Sequence, residues 1–213
     1  MNDTLQRRPA PAYYPWLVAF VGMFALFLSN GMTATGITIF DPPLLDEFKW
    51  PRGDFKFRDF LNFLVTASIS PFIGILIDRL NPRYLLMTGC GLLMLGYFGY
   101  SMLQNGASPP IIQAIALLTA FGLAGVVVVA LSVLAPSLGR NVSIVIAVAL
   151  GALGFYLYWQ HWASDALKQV YVIHLLFSLA LSTSGSMTVI YLVSSWFVKH
   201  RGLAIGIALV GTS

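Results

Sequence analysis

Gly74-Ile-Leu-Ile-Asp78-Arg79-Leu-Asn-Pro-Arg83 is a short charged turn between two long apolar runs. One run ends at Ile77 and the next starts at Tyr84. Between them sit one carboxylate and two guanidiniums, with Asn81-Pro82 as a breaker pair. A charge at the bilayer centre costs roughly 3 kcal/mol on insertion scales. The turn therefore lies outside hydrocarbon while its flanks lie within it. Two membrane helices are predicted to meet here, and cationic short turns mark the cytoplasmic side.

Composition points the same way. Of 213 residues, 58% are hydrophobic and 9% charged, and the mean hydropathy is +0.80. A soluble domain is typically about 25% charged. So little polar surface cannot cover a globule in water, and lipid is the expected solvent. Strand-period alternation is absent and the apolar runs are long, which favours helices over a barrel. The net charge of +4 reads as an orientation signal and an attraction to anionic lipid, not as a nucleic-acid surface. The one cysteine, Cys90, lies in an apolar run. It allows no internal disulfide and no paired-cysteine metal site, and reads as a small packed hydrophobe.

Residues 1–13 read as a polar cytoplasmic tail carrying Arg7 and Arg8. A first helix is predicted over residues 16–40, with Tyr13, Tyr14 and Trp16 as its aromatic belt. Its far half collects Ser29, Asn30, Gly31, Thr33, Thr35, Gly36 and Thr38. Such residues line a cavity or let helices approach closely. Residues 41–59 hold five acids and four bases, and read as a solvated outer loop after Pro42-Pro43 stops the helix. Helix 2 is expected over 60–77 with a kink at Pro71, and Gly74 one turn before Asp78. Helix 3 follows over 83–103, with Gly89, Gly91 and Gly96 as close-packing positions. Residues 109–135 and 141–159 are each long enough to span. The last full helix is expected over 170–198, with a polar centre from Ser182 to Thr188. A further apolar helix starts after the basic turn at Lys199-His200-Arg201. Every predicted inner turn carries a cation, which places the N-terminus inside.

Two stretches resemble the major facilitator superfamily. In the turn quoted first, Gly74, Asp78, Arg79 and Arg83 fall on that family's helix 2–3 loop pattern. Asn81 stands where the family has Gly, and Pro82 where it has the first of two late basic residues. The second stretch is similar to the start of helix 5 in monocarboxylate porters of the same superfamily. Trp196, Phe197, Lys199, His200, Arg201, Leu203, Ala204, Gly206, Ala208 and Gly211 all fall on it. Residues 43–53 also look like the helix 1–2 loop of such porters. The resemblance covers 14–104 and 170–213. Residues 105–166 stand outside it, as a helical pair inserted between family helices 3 and 4.

The resemblance implies an all-α membrane protein with a partial major facilitator fold. Six full transmembrane helices and the start of a seventh are expected. Residues 14–104 would be family helices 1–3, and 167–213 helix 4 and the start of helix 5. The family has twelve helices, so the chain is expected to be the N-terminal portion of a transporter whose C-terminal bundle is missing. The implied function is secondary transport of a small organic solute, a carboxylate anion, by alternating access and in symport with protons. Gating residues carried over are Gly74, Asp78, Arg79, Arg83, Lys199 and Arg201. The implied solute path holds Asn30, Thr33, Thr35, Ser182, Thr183, Ser186 and Tyr191. His174 is the candidate for proton coupling. No Arg or Lys is expected within helices 1–4, so the solute's counter-charge is expected in the missing half. A plasma or bacterial inner membrane is the expected location, and no cofactor or metal is implied. The alternative is a truncated, transport-inactive remnant. A membrane enzyme ranks third, because the sequence shows no nucleophile with a base, phosphate loop or metal cluster.

Overall fold

The computed structural model describes residues 11, 13–135, 137, 139–197 and 199–212. Arg7, Arg8 and most of the expected tail lie outside the described residues. All regular structure among the described residues is helical.

Helix α1 spans Tyr14–Asn30, with Pro15 in its first turn, where a missing N–H is harmless. Its buried residues Ala19, Gly22, Ala25, Leu26 and Ser29 form one stripe at helical spacing. Beyond Asn30 the winding changes. Gly31–Thr35 forms a wide π turn and Gly36–Phe40 a tight 3-10 turn. Helix α2, Asp41–Phe48, follows at once. The expectation that Pro42-Pro43 stops the chain's first helix is corrected. The two prolines open α2 instead, because first-turn prolines lack only an N–H that would have no partner. Lys49 closes α2 in the left-handed conformation, with φ of 56°.

Helix α3 spans Arg52–Arg79 and begins well before the expected residue 60. It runs on through Pro71. Helix α4, Pro82–Ser101, is capped by the Asn81 side chain, which accepts from the Arg83 N–H at 3.1 Å. Helices α5, Pro110–Leu134, and α6, Gly139–His161, form an antiparallel pair where two spanning runs were expected. Helix α7, Ala166–Ser184, starts at an Asp165 cap that accepts from the Leu167 N–H at 3.0 Å.

A continuous helix over 170–198 is not what forms. Gly185 is extended and divides α7 from α8, Ser186–Ser194. Helix α9 covers Arg201–Leu209.

Helix α7 is the centre of the molecule and packs against α3, α4 and α5. Close approach to α4 requires Gly89 and Gly96. A Cβ at Gly89 would meet the Ser184 Cβ at 2.6 Å, and one at Gly96 would enter the Phe177 ring. Gly91 faces open space, so its expected packing role is corrected. Helix α1 packs on α8 and α9, where Ala204 and Ala208 are small and Gly211, in the turn after α9, lets the backbones approach: a Cβ there would run into the Met23 carbonyl oxygen. Five stretches are long and apolar enough to cross a membrane, as a multi-pass membrane protein requires: Tyr14–Phe48, Arg52–Arg79, Pro110–Leu134, Asn141–His161 and Ala166–Ser194. Helix α4 has 20 residues, about 30 Å of helix, and lies against α7.

The helix ends sort into two groups. The Tyr14 ring meets Trp196 at a tilt with centroids 4.8 Å apart, and Trp16 meets Phe197 edge-on at 4.9 Å. A cleft of about 630 Å³ there is also lined by Asn81, Pro82 and Arg83. The start of α1, the α3–α4 turn and the end of α8 therefore share one end, called here the Arg83 end. Asp41, Arg58, Tyr100 and His174 meet at the other, the Asp41 end.

Candidate functional site

Helices α1, α3, α7 and α8 enclose a groove of about 240 Å³. It sits where the winding of α1 changes and where α7 breaks. Asn30 lines it from α1, Asn62, Thr66 and Ser70 from α3, and Ser182 and Ser186 from either side of Gly185. Most of its hydroxyl hydrogens are engaged. Ser70 donates to the Thr66 carbonyl at 2.7 Å and Ser182 to the Ser178 carbonyl at 2.7 Å. Thr66 donates to Asn62 Oδ1 at 3.2 Å. These hydroxyls consequently face the groove as acceptors. The Asn30 and Asn62 amides supply N–H donors. The first turn of α8 borders the groove and adds helix N–H groups that have no partner within the helix.

Asn30, Ser182 and Ser186 are thus brought together, and the other four residues expected on the solute path lie elsewhere. Thr33 is buried with its hydroxyl donating to the Ser29 carbonyl. Thr35 is exposed. Thr183 donates to the Leu179 and Ala180 carbonyls, both at 3.0 Å, and faces Gly89. Tyr191 lines the Arg83-end cleft instead.

The six residues expected to gate gather loosely at the Arg83 end. Asp78, Arg79, Arg83, Lys199 and Arg201 are exposed. Among the described residues none of them forms an ion pair. Gly74 has open space where a Cβ would stand, so nothing packs closely on it.

Sequence reasoning missed the most concentrated polar cluster. Arg58 is fully buried, which corrects both the solvated-loop reading of 41–59 and the expectation that no cation lies within helices 1–4. Its Nη2 pairs with Asp41, its Nε donates to Asp59 at 3.3 Å, and its Nη1 donates to the Tyr100 hydroxyl at 3.4 Å. The guanidinium carbon lies 3.9 Å from the Phe55 ring centroid. Lys56 reaches Asp41 at 2.7 Å and Asp59 at 3.2 Å from a half-exposed position. His174, also buried, has Nδ1 3.0 Å from the Tyr100 hydroxyl and 3.0 Å from the Val170 carbonyl oxygen. Two bases thus share two acids, and the His174 imidazole adjoins them through Tyr100.

A spacing signal for this cluster was present. Arg58, Asn62, Thr66 and Ser70 recur every fourth residue on α3, and His174, Ser178 and Ser182 do so on α7. The two rows face each other: Ser178 Oγ reaches the Asn62 carbonyl and Asn62 Oδ1, each at 3.3 Å. One polar seam therefore joins groove and cluster.

No family model, no curated protein and no solved structure matches the chain.

Proposed function

We propose that the chain is the N-terminal bundle of a secondary transporter for a small carboxylate, moved with protons by alternating access. The observation that carries this reading is the groove. Two helices lose regular winding at one depth, next to uncharged donors and acceptors. Broken helices at mid-membrane are how transporters expose helix termini to a solute. The N-terminal turn of α8 offers unpartnered N–H groups and the positive end of a helix dipole, which favours an anion. The Asn62 and Asn30 amides would orient its oxygens.

In this reading the Arg83 end faces the cytoplasm. Asp78 and Arg79 meet a second bundle there, which covers the groove and supplies a further cation. The exposed state of Asp78, Arg79, Lys199 and Arg201 suits groups whose partners come from that bundle. The test is uptake of labelled lactate into proteoliposomes holding this chain and the C-terminal bundle of a monocarboxylate porter. Asn62→Ala with Ser182→Ala is expected to lower uptake about tenfold or more, as loss of groups that bind the solute predicts. Uptake no greater than in empty liposomes would instead support the transport-inactive remnant.

A further inference from the structure

We propose that the Asp41–Arg58 pair is a latch holding the groove shut at the Asp41 end, released by lifting α2 on the unevenly wound stretch 31–40. The proposal rests on the transporter reading and names what controls access to its groove.

The path outward from the groove is short and well defined. One helical turn beyond Ser182 and Thr66, the Ser178–Asn62 hydrogen bonds bridge α7 and α3. One turn further, the Arg58 guanidinium fills the space between α3 and α4, with no exposed surface. Its charge is balanced from α2, because Asp41 supplies the carboxylate on Nη2.

Helix α2 has little else holding it inside the molecule. Asp41 is its one buried residue. At its far end Phe48 stacks on Trp50 at 4.4 Å, and Trp50 on Phe55 at 5.5 Å. These rings stack without a hydrogen bond between them. Asp41, held by buried Arg58 and by half-exposed Lys56 at 2.7 Å, is therefore what fixes the start of α2, and Arg58 is its buried partner.

The stretch leading to Asp41 is built to move. It begins beside Asn30 in the groove and changes from a wide to a tight helical turn at Gly36. Mixed winding of this kind marks hinges, since small changes in φ and ψ exchange one hydrogen-bond pattern for another. Ile37 is buried in the same core cluster as Ile173 and Phe177, which fixes the pivot. Asp41 lies one turn past it. A lift of α2 about Ile37 would take Asp41 off Arg58 and let water reach the seam. The pair is strong while dry and weak once wet, so the closed and open states are both self-consistent.

The test uses the full chain in sealed vesicles with Cys90→Ser and a single Ser182→Cys. A membrane-impermeant maleimide is applied from the Asp41 side. Neutralising both partners, Asp41→Asn with Arg58→Gln, leaves no buried lone charge. It is expected to speed labelling about tenfold by shifting the population toward the open state. An equal rate in a double variant with unchanged helical content overturns the latch and leaves an ordinary structural ion pair. A second measurement needs no substitution. In the parent chain, amides of residues 31–48 are expected to exchange with deuterium as one unit, at least about tenfold faster than those of 53–62. Equal protection of the two segments also overturns the proposal. Neither readout requires transport. A chain that moves no lactate but passes both tests keeps the latch and loses the transporter reading.

Discussion

Arg58 is the residue on which the Asp41 end depends. It is fully buried, and its nearest full countercharge is Asp41. A buried pair adds little net stability over an apolar replacement, yet removing one partner strands the other charge. Asp41→Asn is therefore expected to destabilise the folded chain by about 3–5 kcal/mol. Adding Arg58→Met to that variant is expected to recover most of the loss. Thermal unfolding of the detergent-solubilised chain measures both. Equal losses for the single and double variants would show that Arg58 matters through packing and not through charge. Lys56 is the weaker partner of Asp41, since it is half-exposed and its charge can be met by water.

Gly185 decides the shape of the groove at the scale of the elements. It is extended, and an added Cβ would run into the Leu181 carbonyl oxygen. Gly185→Ala must therefore shift α7 against α8. A loss of about 1–3 kcal/mol is expected, as for other overpacked positions. The same unfolding measurement reads it, and an unchanged midpoint would mean the break tolerates a side chain. The sequence made some elements legible and hid others for identifiable reasons. The α3–α4 turn was readable because Asp78, Arg79 and Arg83 cannot sit in hydrocarbon. Helices α5 and α6 were readable from length alone. The break at Gly185 was hidden, because one glycine in the Ser/Thr-rich centre of a long apolar segment also fits an unbroken helix. The Asp41–Arg58 pair was hidden for a different reason. Its partners lie 17 residues apart across three prolines, and charges near a span's end look like loop charges. Asn30, Ser182 and Ser186 were legible as polar residues in apolar helices. Their companions Asn62, Thr66 and Ser70 were passed over, although they share a four-residue repeat with Arg58.

Over the whole molecule, apolar surface faces outward and polar groups gather at the two ends and along one seam. Phe20, Phe24, Phe27, Phe63 and Met94 are all more than half exposed. In water such a surface would drive association; in a bilayer it meets acyl chains. The packing also fixes which turns lie together. Asn81, Arg83 and Trp196 line one cleft at the Arg83 end, and Lys199 follows three residues later. Gln104 accepts from the Gln169 side chain at 3.3 Å, at the start of α7 and so at the opposite end. A membrane lying across the helices must separate these two groups. The direct test is single-cysteine labelling in sealed vesicles, with Cys90→Ser as the background and Asn81→Cys, Lys199→Cys or Gln104→Cys as the reporter. Positions 81 and 199 are expected to react from one side of the membrane and position 104 from the other. Reaction of all three from the same side would contradict a chain that crosses the membrane between them.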